Sequence, residues 1–266
     1  MIRRLITVAQ LTTLEEVRSK VLNATFLFAG VLVYFGLVIT TLAQGFEARF
    51  FRDVAFTMIE LFGLAIIFQS VYRVVRQDVR KGSAVEMFFV RPLSRWEYLV
   101  GRLIGVSILL WVGLAVMAGV QLGLTAAKGF GFHWFYVIAY LEVYLKLMVV
   151  IAVTAVLAVV TTSQASYFVS GLLVYASGHV MHLLRALLEA KPGSDFVSML
   201  LIKPLTYLLP NFSLYATVNN LDALIGRGVA FAWGDVGLAV CYTVFYAGAL
   251  TAISAFLFSK TEISPG

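Results

Sequence analysis

Long apolar runs separated by short polar punctuation dominate this chain. The runs Leu22–Ala43, Val54–Tyr72, Tyr98–Leu124, Trp134–Val160, Tyr167–Leu184 and Val236–Phe258 each come close to the about 20 residues that one helical crossing of a bilayer requires. The pattern predicts six transmembrane helices. Ahead of them, Ile2, Leu5, Ile6 and Ala9, then Leu14, Val17 and Val21, recur at helical spacing. Arg3, Arg4, Arg18 and Lys20 are left to the wet side, the signature of an amphipathic helix lying in the membrane interface.

Two connections are too long for simple turns. Residues 185–235 hold an apolar stretch, Phe196–Ile202, then Pro204, Leu208, Leu209, Pro210 and Asn211, and a second stretch ending at Trp233. Neither stretch can cross a bilayer, so short re-entrant or interfacial helices are expected between spans five and six. The other long connection is 73–97. With no internal repeat or low-complexity tract, the expected fold is all-α and membrane-integral: an interfacial helix at 1–21, then a single six-span domain at 22–266.

Composition agrees with the pattern. Hydrophobic residues make up 61% of the chain and charged residues 13%, and the mean hydropathy is +0.93. A soluble domain is about half apolar and a quarter charged. The spans and their connections leave no room for a separate soluble catalytic domain. A cleavable signal peptide ending near Thr41-Leu42-Ala43 fits poorly, because the preceding segment carries Glu15 and Glu16 and the apolar run exceeds a signal core. Cys241, the lone cysteine, rules out an internal disulfide.

The net charge of +6 points to loops that set topology and face anionic lipid headgroups rather than to nucleic acid. With the N-terminus cytoplasmic, that side holds twelve basic residues and the other side seven. Both termini are therefore expected in the cytoplasm of a cell with an inner (cytoplasmic) membrane, 73–97 on the cytoplasmic side and 185–235 outside.

No phosphate-cradling Gly-x-x-x-x-Gly-Lys-Ser/Thr loop occurs, so any nucleotide hydrolysis must reside in another chain. His-Glu-x-x-His and Gly-x-Ser-x-Gly arrangements are also absent. This chain is not expected to be an enzyme or to hold a cofactor or metal of its own.

The cytoplasmic connection carries the most information. A basic stretch from Arg73 to Lys81 leads to Gly82-Ser83, an apolar block Val85-Glu86-Met87-Phe88-Phe89-Val90, and then Arg91-Pro92-Leu93-Ser94-Arg95-Trp96-Glu97. Gly82 and Pro92 break helices on either side of the block. Ser94 is placed as the N-cap of the third span, with Glu97 three residues on to complete a capping box. Physically, the block could do no more than anchor a loop to the bilayer.

Its pattern, however, resembles the segment between the second and third spans of type-2 ABC exporter permeases, matching at Gly82, Ser83, Glu86, Pro92, Leu93, Ser94, Arg95, Gly101 and Arg102. Leu209-Pro210-Asn211-Phe212 before the last span is similar to the subgroup associated with multicopper-enzyme maturation. The resemblance implies that Val85–Val90 is a coupling helix, seated with Gly82, Ser83, Pro92, Leu93, Ser94 and Arg95 on a separate ABC ATP-binding subunit that would hold ATP and Mg. It also implies a second permease copy or a sister permease.

Ionisable residues inside spans are costly, about 2.5 to 3.5 kcal/mol each at a bilayer centre. Glu60 falls in the second span; Glu142 and Lys146, one turn apart in the fourth, have the spacing of an internal ion pair. His179 and His182 could share a face of the fifth span with Arg185, too few ligands for a metal. Either these five residues are structural or they line a translocation path. Trp134, Tyr136, Tyr140 and Tyr144 form an aromatic stripe expected to be an interface belt. Gly101 with Gly105, and Gly119 with Gly123, permit close helix approach. An ion-coupled secondary transporter using the same charged residues, or a scaffold that recruits a soluble partner, remains the alternative to an ATP-driven exporter.

Overall fold

The computed structural model describes residues 2–16, 27–28, 30–36, 38, 45–77, 94–190, 209–226 and 231–260. Its elements are α1 (Ile2–Glu16), α2 (Glu47–Tyr72), a π-helical turn (Arg73–Gln77), α3 (Arg95–Ala127), α4 (Phe135–Val160), α5 (Gln164–Ala190), a 3₁₀ turn (Phe212–Leu214), α6 (Thr217–Gly226) and α7 (Trp233–Lys260). There is no strand among the described residues. Four helices among them are long and apolar enough to cross a membrane: α2 with its π turn, α3, α4 and α7. The shortest, the 26 residues of α4, spans about 39 Å at 1.5 Å per residue, more than the hydrocarbon thickness. This is a membrane-embedded helical protein.

Helix α5 is equally long, and part of its second half lies outside the described side chains. It is not among the four. The first expected span lies mostly outside the described residues. Its described part, 27–28, 30–36 and 38, is helical, with Phe28 and Leu32 fully buried. Phe28 meets Phe62 of α2 edge-on at 5.4 Å.

Helix α4 is central, packing against α2, α3, α5, α6 and α7. Gly63 marks the closest approach of α2: an added Cβ would come to 2.6 Å from Leu147 Cδ1 of α4 and 3.7 Å from Leu110 Cδ1 and Leu114 Cδ2 of α3. Three helices meet at that point because one has no side chain there. Helix α7 is peripheral, burying 11% of its most apolar stretch against 56% for α4.

The N-terminal helix packs on the first half of α3. Gly101 receives Val8, and a Cβ at Gly105 would meet the Ala9 carbonyl oxygen at 2.8 Å. Thr13 Oγ1 donates to the Gly105 carbonyl oxygen at 3.2 Å. Val8, Ala9 and Thr12 are the buried face, while Ile6, Leu11 and Leu14 are exposed. Of the apolar stripe read from the sequence, Ala9 meets the glycine pair of α3 while Ile6 and Leu14 face outward; Val8 and Thr12, which complete the buried face, were not part of it. Gly119 and Gly123, the other small pair, have nothing within 4 Å of an added Cβ.

Two expected boundaries move. The connection placed at 73–97 starts later, because α2 runs on through the π turn to Gln77; Arg73 and Arg76 do not stop a helix. The connection placed at 185–235 is shorter at both ends, since α5 continues to Ala190 and α7 begins at Trp233. Within it, the first apolar stretch lies outside the described residues and the second contains the 3₁₀ turn and α6.

The aromatic stripe on α4 also divides. Tyr136 and Tyr140 turn into the bundle against Phe56 of α2, at 6.3 and 5.0 Å between ring centroids. Only Trp134 stands at the surface, stacked on Trp233 at 5.6 Å. A four-ring cluster of Trp134, Phe135, Phe231 and Trp233 joins the start of α4 to the start of α7.

Candidate functional site

Glu60 of α2, Lys146 of α4, and Tyr175 and His179 of α5 converge inside the bundle. The close approach at Gly63, one turn from Glu60 and beside Leu147, brings α2 and α4 near enough for Lys146 Nζ to form an ion pair with Glu60 Oε1. The Tyr175 hydroxyl donates to the same carboxylate oxygen. Both charged side chains are largely withdrawn from solvent, Lys146 at 10% and Glu60 at 19% exposure.

Lys146 Nζ also lies 2.8 Å from His179 Nε2. An ammonium has only donors, so Nε2 must accept. The ring proton then sits on Nδ1, 3.1 Å from the Tyr175 carbonyl oxygen, to which it donates. These two contacts fix the orientation of the His179 ring. Its Nε2 also lies 3.6 Å from Glu60 Oε1, so His179 faces both members of the ion pair.

The ion pair expected between Glu142 and Lys146 does not form. Each has a stronger partner on another element: Lys146 takes Glu60, while Glu142 accepts from the Thr217 backbone N–H at 2.9 Å and from Thr217 Oγ1 at 2.6 Å. Thr217 opens α6, whose first N–H groups lack helical acceptors, so the carboxylate satisfies donors at the positive end of that helix.

Phe212 covers the charged network. Its ring lies 5.2 Å from Lys146 Nζ and 5.2 Å from the His179 ring, and 5.7 Å from the Tyr175 ring. Gly178 makes room for it: an added Cβ would sit 2.6 Å from the Phe212 ring and 3.1 Å from the Pro210 carbonyl oxygen. Asn211 shapes the turn by accepting at Oδ1 from Ser213 N–H and Oγ at 3.3 and 2.7 Å.

Helix α7 holds the same segment from the other side. The Asn211 N–H donates to the Tyr242 hydroxyl at 2.9 Å. Thr243 uses its own proton on the Ala239 carbonyl oxygen, so the Tyr215 hydroxyl is the donor to Thr243 Oγ1 at 2.6 Å. Burial pushes the Tyr215 phenol well above its ordinary range, which keeps that donor protonated. Beside this clasp lies a cavity of about 530 Å³ between α4, α6 and the start of α7, with Glu142, Thr217, Asn220 and Asp235 among apolar walls that include Leu214 and Phe231.

Of the residues singled out from sequence, Glu60, Lys146 and His179 are brought together, and Glu142 stands one turn away in its own clasp. His182 lies in α5, and its side chain falls outside the described part. Among the described residues no cluster of His, Cys, Asp or Glu could hold a metal ion. Gly82, Ser83, Val85, Glu86, Met87, Phe88, Phe89, Pro92 and Leu93 lie outside the described residues. Ser94 is the N-cap of α3 as expected, with its N–H donating to Glu97 Oε2 at 3.2 Å. Arg95 reaches across to the end of α7, where Nη1 donates to the Ser259 carbonyl oxygen at 3.2 Å.

Tyr175, Thr217 and Arg76 are members of these networks that the sequence pattern did not mark. Arg76 donates from Nε to the Ala158 carbonyl oxygen at 2.9 Å, and from Nη2 to the carbonyl oxygens of Val159 at 3.4 Å and of Thr161. No family model matches this sequence, and no curated protein is significantly similar to it.

Proposed function

We propose that this chain is the membrane-embedded permease subunit of an ATP-driven exporter of the type-2 ABC class. In this reading it has six spans, the first centred on the helical residues 27–38 and the fifth formed by α5, with both termini on the cytoplasmic side of a cell's inner membrane. A separate ATP-binding subunit, carrying ATP and Mg, engages Val85–Val90, and a second permease copy or sister permease completes the path.

The observation that carries a transport reading is the Glu60–Lys146 ion pair, met by His179 and Tyr175 and capped by Phe212. A charge constellation buried between apolar helices is expensive in a bilayer and marks a path for polar or ionic cargo. The assignment of ATP as the driver rests on the resemblance of 82–102 to such permeases.

Copurification tests it. A stoichiometric ATP-binding subunit should accompany the chain and be lost when Phe88→Asp and Phe89→Asp are combined. A transport-competent assembly without an ATPase would overturn the reading. The same network favours one other function, a proton-coupled carrier, in which His179 and Glu60 exchange a proton. Transport that survives ATP depletion and collapses with the proton gradient would select it.

A further inference from the structure

The two arginines flanking the 78–93 segment have the same kind of partner. Arg76, in the π turn before it, donates to the carbonyl oxygens of Ala158, Val159 and Thr161 at the C-terminal end of α4. Arg95, in the first residue of α3 after it, donates to the Ser259 carbonyl oxygen at the C-terminal end of α7. The last carbonyls of a helix lack helical donors and carry its negative pole, so a guanidinium fits there both as donor and as charge. Each stem of the segment is thereby fastened to a different helix.

Those two helices pack on each other, and in their first halves they hold residues 211–217. From α4, Glu142 holds Thr217. From α7, Tyr242 and Thr243 hold Asn211 and Tyr215. Glu142 to Ala158 is 16 residues, and Thr243 to Ser259 is also 16, so each rod separates its two attachments by about 24 Å. Phe212, which covers Lys146 and His179, lies between the points held by α7.

We propose that Arg76 and Arg95 are positioning residues of a two-rod linkage. They tie the stems of the 78–93 segment to α4 and α7, so that displacement of the stems shifts both rods and carries residues 211–217 across the Glu60–Lys146–His179 network. Only the source of the displacement, an ATP-driven partner, rests on the function proposed above. A helix is stiff along its axis, and its end contacts are discrete hydrogen bonds. The linkage therefore conveys a shift instead of absorbing it. The π turn packs on α4, and such turns recur where a helix carries a functional departure from regular geometry.

The linkage is tested first on the isolated full-length chain in lipid nanodiscs. In a Cys241→Ser background, spin labels are placed at Asn219→Cys on α6 or at Ser163→Cys beside the Arg76 contact. Arg76→Gln should alter the spectra at both positions, and Arg76→Lys, which keeps the charge, should restore the distant one in part. A change at position 163 with none at 219 would make Arg76 a local cap and overturn the linkage. The complex with its ATPase supplies the second arm, a distance measured between Asn219→Cys and Leu173→Cys. A nonhydrolysable ATP analogue should shift it in the parent and not in Arg76→Gln or Arg95→Gln, with nucleotide binding retained. An equal shift in the variants overturns the linkage. A parent without nucleotide response overturns only the ATP-driven reading, because the first arm needs no partner.

Discussion

Lys146 pairs with Glu60 across the α2–α4 contact and not with Glu142, which stands one turn away on its own helix. The choice leaves Glu142 free to clasp Thr217, so a single turn of α4 serves both the buried charge and the start of α6. Removing one member of the pair leaves the other charge uncompensated. Lys146→Met and Glu60→Gln should each lower stability by about 3 to 5 kcal/mol, the cost of breaking a buried ion pair. The double variant should recover most of that loss, because no lone charge remains. Thermal unfolding of the four proteins in the same detergent closes the cycle; additive losses would show that the pair is not coupled.

Thr217→Val deletes the hydroxyl donor to Glu142 but keeps the shape of the side chain. The Thr217 N–H still reaches the carboxylate at 2.9 Å, so the loss is one charge-assisted bond, about 1.5 to 3 kcal/mol. The loss should be local. Amide exchange should accelerate in α6, with α2 and α3 unchanged. Uniform acceleration across the bundle would mean that the clasp supports the whole fold.

Much of the architecture was legible because span length and apolar character are properties of contiguous sequence. The ends of α3 and α4 fall within about three residues of the expected spans, and Ser94 and Glu97 announced the start of α3 by their spacing. The site was legible only as a set of residue types. Glu142 and Lys146 have the spacing of a local pair, and nothing in that spacing reveals that Gly63 lets Glu60 approach from another helix. Tyr136 and Tyr140 read as a membrane belt because amphipathic rings favour interfaces, yet Phe56 draws them inward. Arg76 read as a topology signal because the carbonyls that bind it become acceptors only where α4 ends.

Gly178→Ala should disturb the cover over the charged network. The new methyl would come 2.6 Å from the Phe212 ring, and the Pro210 carbonyl behind it leaves little room to retreat. Overpacking of this kind costs about 1 to 3 kcal/mol. Gly119→Ala is the matched control, since an added Cβ there meets nothing within 4 Å. The prediction is a lowered melting temperature for Gly178→Ala with a near-parental value for Gly119→Ala. Equal effects would show that helix propensity and not the Phe212 contact sets the response.

Gly105→Ala should weaken the seat of α1 more than Gly101→Ala does. At Gly101 a methyl would meet Val8 Cβ and Cγ1 at 3.0 Å, so a displacement of a few tenths of an ångström relieves it. At Gly105 it would meet Thr12 Cβ at 2.6 Å and the Ala9 carbonyl oxygen at 2.8 Å, so the helix itself must move, and Thr13 would lose its bond to the Gly105 carbonyl. Helix α1 packs on the part of α3 that begins at Arg95, so a displaced α1 disturbs the same end of the bundle that carries the arginine contacts. A protease site at Gln10, an exposed residue of α1, would be cut fastest in Gly105→Ala, more slowly in Gly101→Ala and slowest in the parent. Equal cutting in all three would mean that α1 is held by something other than this glycine pair, and the assignment of Gly101 and Gly105 as its seat would fall.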